Sequence, residues 1–211
     1  LIDFHNHLLP GVDDGSASLD ETRAALIVMR DEGVRTVITT PHLAGSMTTR
    51  PDELRAVMER FDAAFAAVSE MVEREFPDLQ LDRGVELMLD SPGIDLSDPR
   101  VRLAGSKAVL VEFPAMVAPP HGVNAIYELR LAGWRTVLAH PERYQNLRDL
   151  GMVREWKNVG CLLQVNAGSL LGRYGDDAKR MGWQILEKGL GDFLSSDYHA
   201  RGRLRLDETM K

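Results

Sequence analysis

The chain has 211 residues, 44% hydrophobic and 27% charged, the size and balance of one globular domain spanning 1–211. Its formal charge of −7 argues against a nucleic-acid partner, and no apolar run approaches the roughly 20 residues of a membrane span. Cys161 is the single cysteine, so an internal disulfide and a cysteine-rich zinc site are excluded and any metal ligands must be nitrogen or oxygen. No secretory signal is visible in the opening Leu1–Phe4, so a cytoplasmic location is expected.

In chain order, seven apolar or β-rich segments read as buried strands: Leu1–His7, Val34–Thr40, Leu79–Glu86, Ala108–Phe113, Thr136–His140, Leu162–Asn166 and Asp192–Ser196. Helical patterns lie between most of them. Leu19–Glu32 opens on Ser18 and Glu21 at capping-box spacing and stops at Gly33, and Pro51 opens an amphipathic stretch toward Phe76. Val123–Leu131, Leu147–Asn158 and Asp177–Lys188 each end at or near a glycine. The stretch Asp90–Gly105, with Pro92 and Pro99, offers no full crossover helix. This α/β order predicts a parallel sheet closed into a distorted TIM-like (β/α)7 barrel, with an open doubly wound sheet as the alternative.

Five of the six histidines fall at or just beyond the carboxyl ends of these strands, together with acids. His5 and His7 close the first, His42 follows the second, Glu86 closes the third, and Glu112 lies near the end of the fourth. His140 ends the fifth, and Asp197 with His199 follows the seventh. In a parallel barrel these ends share one face, where active sites of this architecture sit. Each signal alone has a bland reading: a structural His-X-His pair, or a surface acid. Together they would bury several imidazoles and carboxylates at one mouth, which is costly unless cations are bound. Asp13 and Asp14 in Gly-Val-Asp-Asp-Gly either simply shape a turn or place one of the two, undecided between them, toward the cluster. Such a site suits two or three ions of manganese, iron or zinc and the hydrolysis of a phosphate monoester. Arg143 and Arg203 stand close enough to ligand candidates to hold phosphate oxygens.

Nucleophile schemes fit less well. Cys161 has Ala167 six residues on, where a cysteine phosphatase needs Arg, and it reads as a core residue. Gly-X-Ser-X-Gly and Walker loops are absent. His121 reads as a loop or helix-start residue.

The motifs Ile-Asp-Phe-His-Asn-His-Leu-Leu-Pro-Gly-Val-Asp-Asp-Gly, Thr-Thr-Pro-His, Gly-Val-Glu, Glu-Phe-Pro, Ala-His-Pro-Glu-Arg-Tyr, Gln-Val-Asn-Ala-Gly-Ser and Ser-Ser-Asp-Tyr-His run from residue 2 to about 203. In that order they resemble the polymerase and histidinol phosphatase (PHP) superfamily. Within it the likeness is to bacterial manganese-dependent protein tyrosine phosphatases of the CpsB/CapC type, which regulate capsular and extracellular polysaccharide synthesis. The resemblance implies three divalent ions, manganese expected and iron or zinc open, with a metal-bridging hydroxide attacking phosphotyrosine. It implies one ion on His5, His7, Glu86 and Asp197, a second on Glu86, Glu112 and His140, and a third on Asp14, His42 and His199. Arg143 and Arg203 would bind phosphate, and the tail of an autophosphorylated bacterial tyrosine kinase would be the substrate. Oligomer formation stays open, and a further helix beyond Lys211 is expected. The alternatives are a small-molecule phosphatase, such as one acting on histidinol phosphate, and a catalytically silent regulatory domain.

Overall fold

The computed structural model describes residues 1–200. The seven expected strands are present, the third split in two and a further segment following the second beyond Thr40, which makes nine: β1 (Ile2–Asp3), β2 (Thr36–Thr39), β3 (His42–Ala44), β4 (Gln80–Arg83), β5 (Glu86–Met88), β6 (Ala108–Glu112), β7 (Arg135–Ala139), β8 (Leu162–Asn166) and β9 (Phe193–Ser195). Pro41, which has no N–H to donate, separates β2 from β3, and Gly84 lies in the break between β4 and β5. His42 and Glu86 therefore begin short strands after a kink, where the sequence placed them at or past strand ends.

Every pairing is parallel. One sheet has the order β1-β2-β4 and the other β3-β5-β6-β7-β8-β9, so the two kinked strands pass from one sheet to the other. The remaining gap, between the first and last strands, is spanned by an isolated parallel bridge of Asn6 with Tyr198. Backbone hydrogen bonds from His7 N to Tyr198 O and from Asp197 N to His5 O, each 2.8 Å, reinforce it. Asp3, inside the opening apolar stretch, adds side-chain ties. Its carboxylate accepts from Ser196 N at 2.9 Å, Ser196 Oγ at 2.6 Å and the Ser195 hydroxyl.

The helices are α1 (Leu19–Asp31), α2 (Pro51–Glu75), α3 (Gly122–Leu131), α4 (Gly151–Asn158), α5 (Ala167–Leu170) and α6 (Asp176–Glu187). Ser18 caps α1 by accepting from Glu21 N at 3.2 Å, and Glu21 returns a bond to Ala17 N at 2.8 Å. The helix expected from Leu147 starts only at Gly151, since Asp149 turns the chain by accepting from Gly151 N at 2.7 Å. Between β5 and β6 only short 3-10 turns occur, at Pro99–Val101 and Leu103–Gly105, as Pro92 and Pro99 lead one to expect. His121 occupies the position before α3 without a side-chain capping bond.

The main core lies between sheet and helices and includes Trp156, Phe113, Leu163 and Ile185. A second cluster of Leu103, Leu110, Val137 and Ala139 packs with Phe4, Ile38 and Leu162 on the other side of the strands. Alternation by twos then sets the functional positions: Glu112 shares a strand face with Leu110, and Gln164 with Leu162.

Candidate metal centre

Nine side chains converge: His42 and Glu86 from the starts of β3 and β5, Glu112 from the end of β6, and His5, His7, Asp14, His140, Asp197 and His199 from the segments that follow β1, β7 and β9. His5 Nε2 lies 3.2 Å from Glu86 Oε2 and 3.3 Å from Asp197 Oδ1. His7 Nε2 meets the same two oxygens at 3.3 and 3.4 Å. His42 Nδ1 is 3.1 Å from Glu86 Oε2 and 3.2 Å from Glu112 Oε1, and His140 Nε2 is 2.9 Å from Glu86 Oε1. Asp14 Oδ1 stands 3.6 Å from His42 Nε2 and 3.5 Å from His199 Nε2. Three overlapping sets have the spacing to hold cations: His7, Asp14, His42 and His199; His5, His7, Glu86 and Asp197; His42, Glu86 and Glu112. Arg143 is also here, donating Nη1 to Asp197 Oδ2 at 2.5 Å. Arg203 lies outside the described residues.

The donor set fits a metal. His5 Nε2, His7 Nε2 and Glu86 Oε2 are fully buried and make no hydrogen bond among the described residues, yet all three point into one space. Leaving such groups unsatisfied is expensive, and a cation satisfies them together. The far side of three imidazoles is anchored. His5 Nδ1 pairs with Gln164 Oε1 at 2.7 Å, and Gln164 Nε2 donates to Val165 O at 2.9 Å, which orients the amide so that its oxygen faces His5. His7 Nδ1 pairs with Asp13 Oδ2 at 2.8 Å, and His199 Nδ1 with Asp197 O at 3.0 Å. With Nδ1 as donor, Nε2 presents its lone pair inward, the usual arrangement around a metal-bound histidine.

Asp13 and Asp14 thus separate by position. Asp13 also accepts from His42 N at 3.2 Å and Gly15 N at 3.0 Å, so it braces two imidazole-bearing segments, while Asp14 faces His42 and His199. Gln164, Asn166 and Asp3 received no role in the sequence reading. The motif Gln-Val-Asn-Ala-Gly-Ser carried the signal for the first two: Asn166 Nδ2 donates to Asp197 Oδ2 at 2.8 Å.

The electrostatics reflect the crowding. Burial lowers the His5 pKa, but the adjacent Glu86 and Asp197 carboxylates outweigh it and bring it to about 9. Burial pushes Glu86 up, yet the His5 charge, the hydrogen bond from His140 and the close His7 imidazole hold it well below the carboxylate range. Protons stand in for cations in this balance. Cys161, in contrast, is driven up to about 12 by burial, so it is an inert thiol. Two of the site residues sit in left-handed backbone, His140 at φ 34° and Asp197 at φ 49°, a cost of about 1–3 kcal/mol each that packing must impose.

Residues 1–207 match the model of the CpsB/CapC family, capsular polysaccharide synthesis.

The chain belongs to the CpsB/CapC family.

Among its relatives, the tyrosine-protein phosphatase YwqE of Bacillus subtilis (strain 168) is 30% identical over 204 residues, covering 94% of this chain and 77% of that protein. The tyrosine-protein phosphatase CpsB of Streptococcus agalactiae serotype III is 29% identical over 207 residues, covering 94% and 83%. A chain from the crystal structures of YwqE from Bacillus subtilis and CpsB from Streptococcus pneumoniae, metal-dependent tyrosine phosphatases, superposes with a TM-score of 0.79 at 26% identity, over 94% of this chain and 79% of that one. Histidinol phosphate phosphatase from Lactococcus lactis shares the fold at a TM-score of 0.54 and 13% identity, over 96% and 88%. Family and fold agree with the PHP resemblance. No helix among the described residues is long and apolar enough to cross a membrane.

Proposed function

We propose that this chain is a metal-dependent protein tyrosine phosphatase serving capsular or extracellular polysaccharide synthesis. The observation that carries the reading is the convergence of three buried, unpartnered ligand atoms, His5 Nε2, His7 Nε2 and Glu86 Oε2, in a member of the CpsB/CapC family. The single domain 1–211 works with three divalent ions, manganese foremost. His5, His7, Glu86 and Asp197 hold one; Glu86, Glu112 and His140 the second; Asp14, His42 and His199 the third. Such ions, when bound, activate a water for attack and neutralise charge on the phosphoryl oxygens.

The chain's own residues do the rest. Gln164 and Asp13 lock the imidazoles of His5 and His7 in the ligating tautomer. Asp197 offers Oδ1 to the cluster and Oδ2 to Arg143, whose remaining N–H groups are available to the phosphate of a phosphotyrosine. The substrate is the phosphorylated tail of a bacterial tyrosine kinase, met in the cytoplasm.

The test is hydrolysis by the purified chain, with manganese added, of phosphotyrosyl peptides against histidinol phosphate, alongside elemental analysis. Preference for the peptide, abolished by chelator and restored by metal, is expected. Preference for histidinol phosphate overturns the tyrosine-phosphatase reading. Absence of both bound metal and metal-restored activity makes the chain a silent binding domain.

A further inference from the structure

We propose that Tyr174 is a positioning residue that holds Arg143 at the metal centre; this rests on the phosphatase reading above. The Arg143 guanidinium lies over the Tyr174 ring, 4.1 Å from its centroid, while Nη1 binds Asp197 Oδ2 at 2.5 Å. The arginine is thus held on two sides: by a carboxylate in the plane of its fork and by an aromatic face across it. A guanidinium secured only by Asp197 could swing about that one contact. The ring removes that freedom and leaves the in-plane N–H groups for a ligand.

The segment carrying Tyr174 is built to present it. It leaves β8 through α5 and turns through Gly172 (φ 82°) and Gly175 (φ 90°), on either side of the tyrosine. Arg173 N bonds Gly168 O at 3.0 Å, and Gly172 N bonds Ser169 O at 2.9 Å. The Tyr174 ring lies over Gly168, where an added Cβ would come 3.1 Å from Cε2. The ring is nonetheless 40% exposed, so its burial gains little by itself; its hydroxyl is near the Asn166 side chain and its face meets Arg143. The same β8 exit supplies Asn166, which binds the Asp197 oxygen that Arg143 uses. One strand end thereby controls both partners of the arginine.

The experiment is a double-mutant cycle on kcat/KM with a phosphotyrosyl peptide and the metal-loaded enzyme, using Tyr174→Ala, Tyr174→Phe, Arg143→Ala and the Tyr174→Ala/Arg143→Ala pair. Loss of a cation–π contact of this kind corresponds to roughly a tenfold fall for Tyr174→Ala, with Tyr174→Phe close to wild type because the ring and not the hydroxyl faces the guanidinium. Metal content is expected to be unchanged. In the Arg143→Ala background the tyrosine substitution is expected to have no further effect. Additive losses in the double variant, or a Tyr174→Ala enzyme that is as active as wild type, overturn the proposal. So does loss of metal with loss of activity, which would make Tyr174 a structural prop of the cluster. An inactive wild-type chain with its metals bound refutes the phosphatase reading instead, and is recognised before any variant is compared.

Discussion

Glu86 meets more imidazoles than any other carboxylate of the centre: its Oε2 is within 3.3 Å of His5, His7 and His42, and its Oε1 is 2.9 Å from His140. Glu86→Gln keeps the volume but removes the charge that the imidazoles surround. With two of the proposed ions assigned to it, hydrolysis of phosphotyrosyl peptide is expected to fall by at least about 10³-fold, several kcal/mol of charge stabilisation, with a matching loss in elemental analysis. Gln164 acts one step further out. Gln164→Leu releases the His5 ring, and metal titration of the variant is expected to show affinity lower by about 10- to 100-fold. Cys161 is the control. Buried and hydrogen-bonded to Thr136 O at 3.6 Å, it is remote from the ligand set, so Cys161→Ser is expected to stay within about twofold of wild-type activity. Loss of activity in a folded Cys161→Ser enzyme would sink the metal mechanism.

At the scale of elements, the centre depends on how the chain leaves each strand. After His7 it loops back so closely that Gly15 lies against the strand: an added Cβ would stand 2.0 Å from His7 O. No rotamer change relieves a backbone collision, so the loop must retreat and take Asp13 away from His7. Gly15→Ala is therefore expected to cost about 2–4 kcal/mol, seen as a lower melting temperature, and to weaken metal binding even though no ligand is changed. Normal metal affinity in that variant would show that Asp13 does not brace the site. The kinks at Pro41 and Gly84 serve the same end, since they start β3 and β5 on His42 and Glu86, paired in register across the sheet.

For the whole molecule, the candidate ligands lie where the first and last strands meet. The first and last strands meet through one bridge, a few hydrogen bonds and the facing pairs of His5 and His7 with Asp197, so cations held there join the two ends of the described chain. Chelation is expected to lower the melting temperature, and manganese at a hundred times its dissociation constant to restore about 2.7 kcal/mol per site, some 5–10 °C for a chain of this size. A melting temperature indifferent to metal would refute this linkage. The order of strands and helices, the parallel sheet and the gathering of His5, His7, His42, Glu86, Glu112, His140 and Asp197 were legible in the sequence. Hydrophobic period and residue type are local signals, and a parallel barrel sends every strand's carboxyl end to one face. Which of Asp13 and Asp14 faces the cluster, the bracing by Gln164 and Asn166, and the stacking of Tyr174 on Arg143 were decided only by the tertiary structure. They are contacts between side chains distant in sequence or one residue apart in a turn, and no local pattern records which atoms such packing brings within hydrogen-bonding distance.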